Sequence, residues 1–448
     1  PVAYVSWRLL HCRKRSARWI TGVICGCAAL ILLILAPIGG WRHRDIRPIA
    51  ISNANAYTRH PSETALVLNT PFTMIRSIGN TPFVNPGYFT DGKELESVYS
   101  PLHHPATGVF TSRKNLCVII IESFGKEYIG GMNRDILGEE YKGYTPFTDS
   151  LLSKSAWWRH SYGNGQKSID GMPSILAGIP SFVRPFVLTP QAVNKIKGIP
   201  ALLGEMGYSS AFFHGARTGS MGFDGFARSI GFEKYYGRED FSKDPRFGGD
   251  KDFDGYWAIW DEPFLKWYAL KMTEMKQPFV TAVFTASNHH PFRVPEQYEG
   301  KFPSGTMKIH PTVGYTDNAL REFFAVARQQ PWYDNTIFII TNDHTNMREY
   351  DEYKSDIGIF YGPVIIFDPS GNIEAGERGG IAQQTDILPT MVNYMGYGKD
   401  YIAFGCDLFN TPEDKTWAVS CLNGIYQFVK GDRILKFDGT KPVGLYDI

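Results

Sequence analysis

The sequence predicts an α/β fold with a central mixed, mainly parallel sheet flanked by helices. Apolar runs rich in β-branched residues alternate with helical patterns along most of the 448-residue chain. This alternation is typical of buried parallel strands connected by helices. Several of the apolar runs end at side chains that can take part in chemistry. Short strand-like segments separated by turns follow near the C-terminus and predict a small antiparallel β subdomain.

An uncharged stretch near the N-terminus predicts a transmembrane helix. Residues 19–41 have no charged side chain, and Trp19 and Trp41 stand at the two ends. Such a stretch is long enough to cross the roughly 30 Å hydrocarbon core, and Trp is frequent at both interfaces. A buried core helix and a cleavable signal peptide are the alternatives, although a signal peptide usually has a shorter apolar region.

The charge pattern predicts that the rest of the chain lies outside the cytoplasm. Residues 1–18 contain five basic residues and no acid, as is typical of a cytoplasmic loop. We expect them to be the end of an upstream membrane helix followed by such a loop, in a multi-pass protein. Residues 1–48 hold eight Arg or Lys and one Asp, whereas the remaining chain holds 38 basic and 44 acidic residues. The basic excess therefore belongs to the membrane region, and we expect no nucleic-acid partner.

The remaining chain divides into three predicted segments. Residues 42–109 are rich in Pro, Asn, Thr and Tyr and predict an extracytoplasmic linker, residues 110–412 predict the main globular domain, and residues 413–448 predict the β subdomain. Strands are predicted at 115–121, 156–162, 209–213, 278–285, 336–340, 362–367, 417–421, 425–430 and 433–438. Helices are predicted from Pro146, after Ser168, from Ile199 to Gly207, at 226–230, 260–275 and 315–324, and from Gln384.

Two of the predicted strands end at carboxylates. Glu122 follows the first run, and Asp343-His344 follows the run at 336–340. Functional residues of an open α/β sheet lie just past the carboxyl ends of its strands, so both carboxylates would lie at one edge. Two carboxylates and an imidazole suit manganese or zinc. An Asp-His pair alone is weak evidence, and ordinary loop residues remain the alternative.

Ser168 opens a predicted helix after a glycine-rich turn. A hydroxyl at this point can meet an anion at the helix N-terminus and serve as a nucleophile. It can equally be an ordinary helix cap. The neighbouring Lys167 could hold a phosphate or simply be solvated.

Histidines and cysteines add further candidates. His214 follows the strand at 209–213, and His289-His290 follows the strand at 278–285, although both positions also have structural explanations. Cys406 and Cys421 would face an oxidising compartment, and their spacing permits a disulfide without requiring one.

The order of these motifs resembles the sulfatase-like branch of the alkaline phosphatase superfamily. The nearest resemblance is to membrane-bound phosphoglycerol transferases of the lipoteichoic acid synthase type, and it spans residues 110–410. The motifs that carry it are Glu122, Ser168 after Gly-Gln-Lys, Asn288-His289-His290-Pro291-Phe292 and Asp343-His344. Phosphoethanolamine transferases share the same core.

The resemblance implies a metal-dependent phosphotransferase of the bacterial cytoplasmic membrane, with residues 110–412 as an extracytoplasmic catalytic domain. Its single divalent ion would be Mn²⁺ or Zn²⁺, with Mg²⁺ as a further candidate. The metal-ligand positions fall on Glu122, Ser168, Asp343 and His344. The catalytic positions fall on Ser168, the nucleophile, and on His289, and substrate contacts are expected from His214, Lys167, Arg217 and His290.

Three departures from the family pattern are visible in the sequence. Ser168 stands where both transferase families usually have Thr. The segment around Ser168 also lacks the motif that sulfatases convert to formylglycine, which argues against sulfate-ester hydrolysis. Met221 and Phe223 stand where phosphoglycerol transferases have a Trp and an Arg that contact glycerol phosphate, and Arg217 is the candidate substitute.

These features together predict transfer of a phospholipid head group in two displacements. Ser168 would take the phosphoglycerol group from phosphatidylglycerol as a phosphoserine, and a glycan or polymer hydroxyl would then receive it. The alternatives are a phosphoethanolamine transferase, a metal-dependent phosphodiesterase or phosphatase, and a non-catalytic binding protein that keeps the fold.

Overall fold

The computed structural model describes residues 18–32, 51–58, 63–77, 85–105 and 113–448. Residues 18–32 form helix α1, whose apolar side chains are exposed. None of the helices within these ranges combines the length and apolar character that a membrane crossing requires. Residues 33–41 of the predicted membrane segment lie outside the described residues, as do residues 1–17 and parts of the predicted linker.

The described strands form three separate sheets. Their bounds are β1 Leu102–His103, β2 Asn115–Ile121, β3 Ser155–Tyr162, β4 Ser209–His214, β5 Lys234–Tyr236, β6 Phe279–Phe284, β7 Thr336–Asn342, β8 Val364–Phe367, β9 Gly376–Gln383, β10 Tyr401–Ile402, β11 Ala418–Leu422, β12 Ile425–Lys430, β13 Arg433–Phe437 and β14 Pro442–Asp447.

The central sheet has eight strands in the order β5-β4-β6-β2-β7-β8-β3-β9. Strand β8 runs antiparallel to both of its neighbours, and all the other pairs are parallel. The predicted mixed, mainly parallel sheet is therefore confirmed. Every residue of β2, β6 and β7 is buried, because helices cover both faces of the sheet and leave two apolar layers.

The α-helices alternate with the strands of this sheet. After α1 their bounds are α2 Thr64–Val67, α3 Thr70–Ser77, α4 Gly92–Val98, α5 Arg134–Leu137, α6 Pro146–Leu152, α7 Ser168–Ala177, α8 Ile199–Gly204, α9 Phe223–Ser229, α10 Arg238–Ser242, α11 Asp261–Thr273, α12 His310–Ala327, α13 Asp351–Lys354 and α14 Ile387–Tyr394.

The C-terminal residues form a separate antiparallel sheet in the order β11-β12-β13-β14. The sequence predicted three of these strands and missed β14, whose Pro442 and Gly444 weaken the strand signal. Strand β9 was missed for a similar reason, since its first half is glycine-rich and charged. Within the described part of the chain, Cys406 and Cys421 are free thiols, so the disulfide that their spacing permitted does not form.

Candidate active site

Two neighbouring strands bring the predicted carboxylates together. Strands β2 and β7 are parallel, and Ile121 lies opposite Asn342 in their register. The residue that follows each strand carries a carboxylate, so Glu122 and Asp343 lie side by side at the same edge of the sheet. Ligand atoms of Glu122, Asp343 and His344 all lie within 4.8 Å of one another. The predicted convergence of these three side chains is therefore confirmed.

Asp343 has one satisfied oxygen and one open oxygen. Its Oδ1 accepts hydrogen bonds from the backbone N–H groups of Ser123 and His344, both at 2.7 Å. Its Oδ2 is buried and has no hydrogen-bond partner among the described residues. A buried carboxylate oxygen without a donor is costly unless a cation or proton offsets its charge.

His344 faces the two carboxylates with its second ring nitrogen, Nε2. Its Nδ1 lies 2.7 Å from the carbonyl oxygen of Thr345, which can only accept, so Nδ1 carries the proton. Its Nε2 lies 3.2 Å from Asp343 Oδ2 and 3.7 Å from Glu122 Oε1. Two carboxylates and one ring nitrogen thus face one small volume, and these three groups could hold a metal ion.

The pKa shifts of Glu122 and His344 are also consistent with a cation site. Burial raises the pKa of Glu122, and the nearby Asp343 carboxylate raises it further. Burial opposes protonation of His344, yet Asp343 and Glu122 outweigh it and raise the pKa of the imidazole. Burial is the main cause of the Glu122 shift, whereas the His344 shift reports the negative charge of the two carboxylates, which a divalent cation would offset.

Ser168 begins helix α7 next to this cluster. Ser168 is 6% exposed, and its hydroxyl donates a hydrogen bond to Glu122 Oε2 at 3.3 Å. The helix comes this close because position 171 is glycine. A Cβ at Gly171 would lie 2.4 Å from the carbonyl oxygen of Asp343. We call Glu122, Ser168, Asp343 and His344 the ligand cluster.

A second loop carries His289 to the same edge of the sheet. The side chain of Asn288 donates to the carbonyl oxygen of Glu122 at 3.1 Å. Asp261 anchors the loop by accepting hydrogen bonds from the N–H groups of Ala286 and Ser287 at 2.8 and 3.1 Å. Burial lowers the pKa of His289, and the charges of Asp343 and His344 reach its ring.

His214 and His289 both lie beside the indole of Trp257. The ring of Trp257 lies 5.2 Å from that of His214 and 4.6 Å from that of His289, between ring centres. The Nδ1 of His214 donates to the carbonyl oxygen of Phe284 at 3.0 Å, and burial lowers the pKa of the ring to about 4. Its Nε2 is buried without a partner in the described ranges. We call His214, Trp257 and His289 the aromatic side of the site.

The other predicted substrate contacts lie further out. Lys167 and Arg217 are exposed, and Arg217 lies within electrostatic reach of Glu239 and Asp250. His290 is also exposed, with its Nε2 2.9 Å from the Tyr256 hydroxyl. None of these three contacts the ligand cluster through a hydrogen bond or ion pair that the described residues show.

Sequence reasoning missed Trp257 and Asp261. Trp257 directly follows a glycine-rich, acidic segment, residues 237–256, in which no helix or strand was predicted. The sequence signal that could have indicated an ordered turn at Trp257 is Asp254. Its Oδ1 accepts hydrogen bonds from the N–H groups of Tyr256 and Trp257, both at 2.7 Å, and so fixes the turn. Asp261 was recognised only as the start of a helix, because its partners lie 25 residues or more along the chain.

The sulfatase family model matches residues 114–397. The chain belongs to the sulfatase family. It is 26% identical over 399 residues to lipoteichoic acid synthase 1 of Bacillus subtilis, covering 79% of this chain and 60% of that protein. It is 27% identical over 349 residues to lipoteichoic acid synthase of Staphylococcus aureus (strain USA300), covering 72% of this chain and 50% of that protein. The chain thus spans about half of the length of the curated relatives it matches.

Solved structures confirm the fold of this sulfatase-family chain. An alkaline phosphatase superfamily protein from Vibrio parahaemolyticus superposes with a TM-score of 0.65 at 22% identity, covering 84% of this chain and 89% of that one. The lipoteichoic acid synthase LtaP from Listeria monocytogenes superposes with a TM-score of 0.61 at 22% identity, covering 73% and 82%.

Proposed function

We propose that this protein is a membrane-anchored, metal-dependent phosphoglycerol transferase. The observation that carries the proposal is the ligand cluster: the Ser168 hydroxyl at the start of α7 lies 3.3 Å from Glu122, whose carboxylate is grouped with Asp343 and His344. The similarity to lipoteichoic acid synthases supports phosphoglycerol as the transferred group. Residues 110–412 would be the catalytic domain.

The donor set fits one divalent ion. Glu122, Asp343 and His344 supply two carboxylates and an imidazole, which suit Mn²⁺ or Zn²⁺, with Mg²⁺ as the third candidate. Ser168 would complete the ligands with its oxygen. When bound, the ion lowers the pKa of the Ser168 hydroxyl and offsets charge on the phosphoryl oxygens.

Ser168 and His289 have separate roles in the two displacements. The Ser168 alkoxide bonds to the phosphorus of phosphatidylglycerol, the ester bond to diacylglycerol breaks, and His289 protonates the departing oxygen. In the second displacement an acceptor hydroxyl gives its proton to His289 and attacks the phosphoserine. The bond to Ser168 breaks, and the alkoxide is regenerated.

The membrane segment that the sequence predicts at residues 19–41 would support a lipid donor. An anchored domain on the extracytoplasmic side of the bacterial membrane shares its interface with phospholipid head groups, so both reactants meet at high local concentration. A glycan or polymer of the cell envelope would be the acceptor.

A specific observation favours phosphoethanolamine as the second candidate head group. Position 223 is a buried Phe rather than an Arg, and the aromatic rings of Trp257 and Tyr256 lie beside His289. Aromatic faces bind ammonium groups well. The rings beside His289 therefore favour an ethanolamine ammonium group as the second candidate.

Head-group transfer can be tested with labelled lipid. The full chain, loaded with Mn²⁺ in vesicles, is given phosphatidylglycerol or phosphatidylethanolamine labelled in the head group. We expect diacylglycerol release and a glycerophosphoryl adduct on Ser168, identified by mass spectrometry. An adduct only from phosphatidylethanolamine would replace the head group, and free glycerol phosphate without any adduct would favour a hydrolase.

A further inference from the structure

A buried glutamine side chain joins the loop before Ser168 to the end of β7. Gln384, 1% exposed, accepts a hydrogen bond from the backbone N–H of Asn164 at its Oε1, at 3.1 Å. Its Nε2 donates to the carbonyl oxygen of Asn342 at 2.6 Å and to that of Asp343 at 3.3 Å. One amide thus contacts both the loop that leads into the nucleophile and the strand end that carries a metal-ligand position. We call these three hydrogen bonds the amide bridge.

The partners of Gln384 allow its amide a single orientation. A backbone N–H can only donate and a carbonyl oxygen can only accept, so Oε1 must face Asn164 and Nε2 must face β7. If the two amide atoms exchanged places, buried main-chain groups on both sides would lose their hydrogen bonds, which is costly. The amide bridge therefore fixes where the loop and the strand end lie relative to each other.

The same loop is held by a second side-chain amide. Asn164 is fully buried, its Oδ1 accepts from the N–H of Thr385 at 3.1 Å, and its Nδ2 donates to Gln383 Oε1 at 2.8 Å. The segment that makes these contacts is fastened by Asp386, whose two carboxylate oxygens accept from the N–H groups of Gln383 and Cys406, both at 2.8 Å. The amide bridge thus extends from a segment that is itself held in place.

The loop also packs tightly on the start of α7. A Cβ at Gly165 would lie 2.1 Å from the Cβ of Asp170, so the loop directly covers the first turn of the helix. The N–H of Gln166 donates to Asp170 Oδ2 at 3.3 Å. Ser168 lies between these residues in the chain, so a shift of the loop would also move Ser168.

Ser168 is flanked by two contacts with the end of β7. Three residues after it, Gly171 touches the main chain of Asp343, and four residues before it Asn164 is held by the amide bridge. A single contact would let the start of α7 tilt about that point. Two contacts on either side of the nucleophile remove this freedom.

The Ser168 hydroxyl depends on this placement because its own hydrogen bond is weak. Its distance of 3.3 Å to Glu122 Oε2 exceeds the usual range of O–H···O hydrogen bonds, about 2.5–3.0 Å. The position of the nucleophilic oxygen is therefore decided by the main chain of α7. A misplacement of about 1 Å can slow a reaction about 100-fold.

We propose that Gln384 is a positioning residue that sets the distance between the Ser168 hydroxyl and the carboxylates of the ligand cluster. It acts through the loop before Ser168 and not by contact with the reacting atoms. The inference rests on the proposed function and adds to it the side chain that keeps the nucleophile in place.

Replacement of Gln384 by methionine tests this role. Met has nearly the same length and no amide, so Gln384→Met removes the amide bridge without opening a cavity. With the full chain loaded with Mn²⁺ in vesicles, kcat for phosphatidylglycerol should fall about 100-fold, whereas KM should change less than about twofold. A wild-type kcat, or a raised KM with unchanged kcat, would overturn the proposal.

Gln427→Met is the matched control. Gln427 in β12 is also fully buried, and its Nε2 donates to the carbonyl oxygen of Asp356 at 3.0 Å and to Ser420 Oγ at 3.3 Å. This variant should unfold at a lower temperature than wild type and keep the wild-type kcat. An equal loss of kcat in both variants would contradict a specific role of Gln384.

Crystal structures of metal-free wild type and Gln384→Met provide a readout without turnover. The distance from Ser168 Oγ to Glu122 Oε2 should grow by about 1 Å or more, while β2 and β7 keep their positions. An unmoved Ser168 in a variant with lowered kcat would overturn the proposal. If Ser168 moves but the wild-type protein transfers no head group, the proposed function fails and the positioning role stands.

Gln384→Asn keeps the proposal testable if Gln384→Met does not fold. The Asn amide is one methylene shorter, so it leaves a polar group in the site but cannot span both contacts of the amide bridge. We expect a folded protein, measured by circular dichroism, whose kcat falls about tenfold with little change in KM. A wild-type kcat in this folded variant would equally overturn the positioning role.

Discussion

The ligand cluster and the aromatic side lie at the same edge of one sheet and are built differently. In the ligand cluster, charged side chains are held by short hydrogen bonds from the backbone, as at Asp343. On the aromatic side, His214 is kept neutral by burial, and its neighbours are rings rather than charges. The first is suited to activate an oxygen, and the second to hold an uncharged or cationic group.

The ligand cluster matches the family pattern, whereas the aromatic side differs from it. The cluster residues stand at the positions that the family resemblance implies, with Ser168 as the single change of residue type. On the aromatic side, Met221 and Phe223 replace the expected Trp and Arg, and Trp257 reaches the site from another loop. Substitutions in the cluster should therefore affect the reaction itself, and those on the aromatic side should affect the choice of head group.

The largest effect is expected from Ser168→Ala. Loss of the nucleophile should reduce head-group transfer at least about 10³-fold, while a small buried residue should preserve the fold. The matched control is Ser174→Ala on the same helix, whose hydroxyl bonds only to the carbonyl oxygens of Asp170 and Ile179. Activity assays with circular dichroism measure both. Unchanged turnover in Ser168→Ala would refute the nucleophile assignment.

Metal binding should depend on Asp343. In Asp343→Asn the amide oxygen can still accept from Ser123 and His344, so the loop should keep its position. Saturating Mn²⁺ should stabilise wild type by about 2.7 kcal/mol at one hundred times Kd, and the variant hardly at all. Without the ion the variant should be at least as stable, because a buried charge beside Glu122 is gone. Thermal unfolding with and without Mn²⁺ tests both statements, and an equal response to Mn²⁺ would contradict them.

Asp261 should couple the position of His289 to pH. Burial raises the pKa of Asp261 from 3.8 to about 6, so the folded protein holds this proton more tightly than the unfolded chain. Its contribution to stability is complete below about pH 4 and is lost as the pH rises through 6. The free energy of unfolding of Asp261→Asn should therefore depend less on pH between 4 and 6, as urea titrations would show.

The same variant should also reduce activity about tenfold or more. The Asn side chain keeps one acceptor oxygen, and its amide nitrogen cannot accept the second of the two hydrogen bonds from the N–H groups of Ala286 and Ser287, so the loop that carries His289 should shift. Glu262→Gln is the control, since that side chain bonds to Lys266 on the helix surface. If both variants retain wild-type kcat, Asp261 does not position the loop.

A smaller effect is expected from Trp257→Ala. Removing the indole that lies beside both His214 and His289 should raise KM for the lipid about tenfold and change the ratio of phosphatidylglycerol to phosphatidylethanolamine use. Trp260→Ala, which removes an indole packed on Tyr315, is the control. An unchanged head-group ratio would mean that Trp257 only supports the fold.

The smallest effect is expected from Arg217→Ala. Arg217 is exposed and its charge is screened by water and by nearby acids, so the change in KM should stay below about threefold. Glycerophosphoryl transfer assays at low and high salt measure it. A loss of tenfold or more would instead make Arg217 the substitute for the missing Arg at position 223.

A feature of the fold or the site could be predicted from the sequence where its signal lies in one short segment. Glu122 and Asp343 were predicted to converge because each ends a continuous apolar strand, and parallel strands share an edge. The roles of His289 and His214 came from resemblance alone. Trp257 and Asp261 were missed, because their contacts join segments far apart in sequence. The order of the strands also depends on pairings that no local pattern encodes.

Gly171 has a consequence for engineering this enzyme. The distance between helix α7, which carries Ser168, and the end of β7 is set by a contact between the main chains of Gly171 and Asp343. No side chain lies between these two main chains. Adding a single methyl group there would force the start of α7 and the main chain of Asp343 apart, because the new carbon would lie 2.4–2.9 Å from three backbone atoms of Asp343. Such a variant would keep every ligand side chain and change only the spacing between them.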